Sequence, residues 1–103
     1  MKHVLVEYAG AKRAAPSITR SREEACLRAM EARDKLRNGA DFADVVKEYS
    51  DEPGAATRGG SIGTIERGDV APPFADAAFE LDVNQLSDVV ETDFGFHVIF
   101  RTE

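Results

Sequence analysis

The sequence predicts an α+β fold, and three observations carry that prediction. Short β-branched runs lie near the two ends of the chain, one at residues 3–8 and one at residues 96–101. Between them, apolar residues recur at helical spacing, most clearly Phe42, Val45, Val46 and Tyr49 at i, i+3, i+4 and i+7. The 103 residues, 43% hydrophobic and 31% charged, suit one domain with a small core and exclude collagen-like, low-complexity and wholly disordered readings.

The elements follow in order. Residues 3–8 alternate closely enough to read as a strand. Residues 9–20 form a loop containing Gly10, Pro16 and the pair Lys12 and Arg13. Ser21 and Glu24 make a capping box, and the helix it opens runs to about Asn38 before Gly39 stops it. Its apolar stripe is Ala25, Ala29, Ala32 and Leu36. Asp41 can cap the second helix. Residues 50–61, with Pro53, Gly54, Gly59 and Gly60, read as loop or one helical turn, and Ile62 to Ile65 as a brief strand. Pro72 and Pro73 open another helix with the stripe Phe74, Ala78 and Leu81. Asn84 and Gln85 mark a turn. Residues 89–91 form a short strand, residues 93–95 turn it back, and residues 96–101 form the last strand. On that strand Phe96, Val98 and Phe100 share one face, while His97, Ile99 and Arg101 share the other. The C-terminal hairpin is expected to pair with the first strand.

The net charge of −6 gives no support for nucleic-acid binding. The charge is uneven: residues 1–37 carry 9 basic and 5 acidic side chains, and residues 38–103 carry 4 and 14. Solvated helix faces are the simplest reading of such asymmetry. No run is long enough to cross a membrane, and residues 4–6 are too short a stretch for a signal peptide, so neither membrane insertion nor a leader is expected. The one cysteine, Cys26, precludes an internal disulfide and sits among small apolar residues, as a core thiol does. No metal or cofactor is implied. Two histidines and one cysteine are far apart in sequence, and the glycine-rich stretch at 58–63 lacks the Lys-Ser/Thr of a phosphate loop.

The histidines suggest a different possibility. His3 begins the first strand and His97 lies in the last; if those strands pair, both imidazoles stand on one face of the sheet. Taken in order, His3 with Val4 to Val6, Ala40 to Phe42 running through Tyr49 to Gly54, Gly59 to Gly63, Phe74 to Phe79, and Ser87 to Ile99 resemble the parvulin family of peptidyl-prolyl cis/trans isomerases. The likeness spans nearly the whole chain in the family's order. It implies a βαααβαββ fold with a four-stranded antiparallel sheet flanked by helices, residues 1–103 forming one isomerase domain.

The resemblance also implies a site. His3 and His97 match two histidines on the first and last strands, Thr92 a hydroxyl bonded to them, and Glu52 a cysteine or aspartate in the loop after the second helix. Ile62, Val70 and Phe74 match an apolar cup for the proline ring. Lys12 and Arg13 stand where phosphate-reading members carry a basic cluster, while Glu7 replaces a lysine there and would repel a dianion. An acidic residue before proline then suits the loop better than a phosphorylated one. Departures are Glu52, longer than aspartate; Val70, smaller than the usual methionine; Ala71 for a common glutamine; Phe94 for serine; and Asn84 for a turn glycine. The implied activity is non-covalent isomerisation of X–Pro bonds in flexible or unfolded protein segments, by a monomer without cofactor. The other reading is a low-activity proline-peptide holder, a chaperone-like module of a larger foldase. The first places the chain in the cytoplasm if Met1 is its native start, the second outside it. The sequence leaves open whether Glu52 is ionised or protonated.

Overall fold

The computed structural model describes all residues from Met1 to Glu103. In chain order it contains β1 (Lys2–Val6), α1 (Arg22–Arg37), α2 (Phe42–Tyr49), α3 (Ala55–Arg58), a 3-10 turn (Arg67–Asp69), α4 (Pro72–Glu80), β2 (Val90–Thr92) and β3 (Gly95–Phe100). The α+β class stands. Strand β3 is central, with β1 and β2 antiparallel on either side.

The sheet has three strands, not four. The expected strand at Ile62 to Ile65 is reduced to a single bridge between Ser61 and Lys2. Its outer neighbour would have been β1, and loop groups already occupy that edge. The His3 amide donates to the Gly60 carbonyl at 3.0 Å, Leu5 to Ser50 Oγ at 3.2 Å, and Glu7 to Asp51 Oδ2 at 2.9 Å; the Leu5 carbonyl accepts from Asp51 at 2.7 Å. An edge covered by loop groups needs no further strand. The approach is close. Gly60 has φ +83°, and a Cβ there would stand 2.7 Å from Val46 Cγ2 and 2.8 Å from the His3 carbonyl oxygen. Gly63, at φ +70°, then turns the chain away from the sheet.

The helices form where the stripes place them. Ser21 and Glu24 complete the capping box, and Ala25, Ala29 and Ala32 of α1 are buried. Asp41 caps α2, whose Val45, Val46 and Tyr49 are buried. These residues pack with Val4, Val6 and Phe96 in one core, against which Leu36 and Cys26 are partly buried. The opposite face carries a smaller core of Met1, Phe74, Ala78, Leu81 and Ile99, built around α4. Asn84 takes the left-handed turn, at φ +67°.

The charged faces are solvent-exposed, and several of their side chains pair between distant parts of the chain. Arg22 binds Glu91 through two hydrogen bonds of 2.7 and 2.5 Å, Arg33 reaches Asp88, Lys35 reaches Glu48, and Arg20 reaches Asp51. The basic first third is thus tied to the acidic remainder. Individually such surface pairs contribute little to stability.

Candidate active site

Alternation along β1 sends His3, Leu5 and Glu7 to the α4 side of the sheet, and β3 sends His97 and Ile99 to the same side. His3 faces Ile99 and Leu5 faces His97 in the register, so the two histidines are diagonal neighbours. Their rings stack at 5.4 Å with an interplanar angle of 16°, and their Nδ1 atoms lie 3.2 Å apart. Both are about 95% buried.

Each histidine has a second partner. His3 Nε2 is 2.7 Å from Glu52 Oε2, and His97 Nε2 is 2.7 Å from Thr92 Oγ1. Thr92 Oγ1 already accepts the Phe94 amide at 3.2 Å. With Glu52 ionised and both imidazoles neutral, one set of donors and acceptors satisfies all three contacts. Thr92 donates to His97 Nε2, His97 Nδ1–H to His3 Nδ1, and His3 Nε2–H to Glu52. The chain therefore runs in one direction and ends on a carboxylate.

The electrostatics agree with that direction. Burial lowers the His97 pKa to about 3, the nearby His3 adding to the effect, so His97 is neutral at physiological pH. The hydrogen bond from His3 holds the Glu52 carboxyl below its ordinary range despite partial burial, and Arg58 adds to the effect. The direction favours the ionised form over the protonated one, the alternative the sequence leaves open.

The nine residues singled out in the sequence, His3, Lys12, Arg13, Glu52, Ile62, Val70, Phe74, Thr92 and His97, all line one groove of about 940 Å³. Phe74 forms a wall from α4. Its ring meets His3 and His97 edge-on, at 5.5 and 5.1 Å between centroids. Ile62 and Val70 are partly buried beside it. At the other end, Lys12 Nζ lies 5.3 Å over the Phe94 ring, and its amide bonds the Asp93 carbonyl at 2.8 Å, so Phe94 closes that rim. Arg13 stands in the left-handed region at φ +61°. Glu7 lines the groove with this basic pair and is 4% exposed; burial first, then Asp51, raises its pKa.

Sequence reasoning missed Arg58, whose Nη2 is 3.3 Å from Glu52 Oε1. No periodicity links two residues six apart around Pro53 and Gly54. Only the fold of α3 brings them together.

A buried imidazole pair beside the apolar wall of α4, on this sheet and helix order, is the arrangement of a parvulin-type prolyl isomerase domain. The chain belongs to the rotamase family of PPIC-type peptidyl-prolyl isomerase domains, which it matches over residues 3–103. It is 45% identical over 75 residues, 73% of its length, to the foldase protein PrsA of a Geobacillus species, and covers 27% of that protein. It is 41% identical to the putative peptidyl-prolyl cis-trans isomerase dodo of Drosophila melanogaster, across 96% of this chain and 62% of that one. The solved peptidyl-prolyl isomerase ESS1 from Candida albicans superposes with a TM-score of 0.91 at 27% identity, over 99% of this chain and 60% of the other. The chain thus spans less than two thirds of these relatives. No helix is long and apolar enough to cross a membrane.

Proposed function

We propose that residues 1–103 act as one domain that accelerates cis/trans isomerisation of X–Pro bonds in flexible or unfolded protein segments, without forming a covalent bond. One observation carries this reading: a single groove joins an apolar wall to an ionised carboxylate at the end of a buried hydrogen-bond chain. The barrier to X–Pro rotation, about 18–20 kcal/mol, is amide resonance, which places negative charge on the carbonyl oxygen. Ile62, Val70 and Phe74 hold the pyrrolidine ring. Burying a ring of that size is worth about 1.5–3 kcal/mol and favours planar and twisted forms alike. Rate must come from the carbonyl end. An ionised Glu52 beside the carbonyl oxygen disfavours the charge-separated planar form and so lowers the cost of twisting. His3 and His97 position that carboxylate, and Thr92 sets their tautomers. Acceleration by about 10⁴ needs about 5.4 kcal/mol of preference for the twisted state.

The names of the relatives, a foldase and an isomerase, support protein clients. NMR exchange spectroscopy on Ala-Pro and Glu-Pro peptides tests the activity. Acceleration above the thermal rate at micromolar protein is expected, and Glu52→Gln lowers kcat/KM by about 10²-fold while peptide binding persists. Binding without acceleration would instead identify a proline-peptide holder, a reading that Ala71, which offers the groove no polar side chain, also fits.

Lys12 and Arg13 give the groove a preference for an acidic residue before proline, moderated by Glu7. Glu7→Gln is expected to raise kcat/KM for Glu-Pro relative to Ala-Pro. The same variant is stabilised at pH 7. A carboxyl with a raised folded pKa favours the fold below its unfolded pKa and loses that benefit as pH rises. Urea unfolding of the two proteins at pH 7 reads the gain. An unchanged peptide ratio would remove Glu7 from specificity.

A further inference from the structure

We propose that Arg58 is the positioning residue for Glu52, clamping the second carboxylate oxygen so that the anion faces the rotating carbonyl in one fixed plane. The inference rests on the isomerase reading above. Glu52 divides its oxygens between two partners: Oε2 lies 2.7 Å from His3 Nε2 and Oε1 lies 3.3 Å from Arg58 Nη2. A carboxylate held through one oxygen still turns about its last torsion, which has broad wells. A glutamate, with one more rotatable bond than an aspartate, has more freedom to lose. Partners on both oxygens fix its plane.

Arg58 is itself anchored. Its Nε donates to the Ser61 carbonyl at 3.3 Å, in the segment that bridges to β1. The guanidinium packs closely over Gly54, where a Cβ would stand 3.0 Å from Arg58 Nη1. Gly54 is left-handed at φ +77° and precedes α3, and Arg58 ends that helix. Arg58 does not line the groove. It touches the carboxylate from behind and leaves the substrate face free. Its charge also favours the ionised form of Glu52.

Arg58 is 45% exposed and Glu52 26%, so the pair contributes little to folding. A consequence for Glu52 without a matching loss of stability distinguishes positioning from scaffolding. Three variants, Arg58→Gln, Arg58→Lys and the double variant Glu52→Asp with Arg58→Gln, are compared with wild type and with Glu52→Asp alone. The Glu52 carboxyl carbon is titrated by NMR, and kcat/KM is measured on Ala-Pro peptides from pH 4 to 8. The charged and titratable groups facing Glu52 are His3, His97 behind it, and Arg58. Arg58→Gln is expected to raise the Glu52 midpoint by about half to one pH unit and to lower kcat/KM about five- to tenfold. Arg58→Lys restores most of the midpoint and less of the rate, because a point charge lacks the planar fork. In the Glu52→Asp background the shorter carboxylate no longer spans both partners, and loss of Arg58 has little further effect.

An unmoved midpoint overturns the proposal. So does a shifted midpoint with unchanged turnover, or an equal loss in both Glu52 backgrounds. Should Arg58→Gln fail to fold, the lysine variant alone decides, since a wild-type rate profile for it would exclude a role for the fork. If wild type accelerates no peptide, the isomerase reading fails, and the titration still decides whether Arg58 controls Glu52.

Discussion

Phe74→Ala is expected to destabilise the protein by about 3–5 kcal/mol, the range for emptying a buried aromatic site. Phe74 is 3% exposed and is the largest member of the smaller core, with Met1, Ala78, Leu81 and Ile99 around it. Its ring also meets both histidines edge-on, so truncation exposes the hydrogen-bond chain as well as emptying space. Against a total stability of about 5–15 kcal/mol for domains of this kind, that loss is severe. Chemical denaturation of the alanine variant measures it. Phe74→Leu separates folding from function: it keeps four of the seven side-chain carbons and so costs less stability than the alanine variant, while losing the ring wall lowers kcat/KM about tenfold. A folded leucine variant with wild-type turnover would remove Phe74 from the proline seat.

Acid is expected to unfold the protein well above the pH at which ordinary carboxylates alone would require it. His97 titrates near 3 in the fold and near 6.5 when unfolded. Between those values the unfolded chain binds more protons, so stability rises with pH across the window and is lost as pH falls below about 6.5. The depressed Glu52 pKa acts in the same sense at lower pH, its contribution present above the unfolded carboxyl value and lost as pH falls through the folded one. Glu7, with its raised pKa, opposes them. The His97 shift corresponds at most to about 4–5 kcal/mol between pH 7 and pH 3, and relaxation around the histidine pair reduces it to a few. Urea unfolding at successive pH values measures the slope. His97→Asn, which cannot titrate, is expected to flatten it between pH 6.5 and 4, and an unchanged slope would place the acid sensitivity elsewhere. An NMR titration of the wild-type His97 ring gives the same answer without a variant, since a midpoint near 6.5 would contradict the burial.

Much of this molecule is legible locally. Ser21 with Glu24 and Asp41 mark helix starts through side chains that reach their own backbone, and both caps form. The period-two pattern of the last strand assigns His97 and Ile99 to one face and Phe96 and Val98 to the other, as the register has them. That the expected fourth strand would not form was not legible, because a strand needs a free edge. The edge beside Ile62 to Ile65 was already taken by Ser50, Asp51 and Gly60, residues whose approach to β1 leaves no periodic signal.

By itself the sequence determined the helices, the two long strands, the faces on which the site residues fall and, through five motifs in order, the family. Those features depend on neighbours a few residues away, or on patterns that survive as residue identity. Tertiary structure alone decided the ionised state of Glu52, the neutral state of His97, the clamp from Arg58 and the pairing of the basic first third with the acidic remainder. Each of these depends on burial or on distances of 2.5–3.3 Å between groups that no local periodicity links, and electrostatic energy follows separation and dielectric rather than position in the sequence.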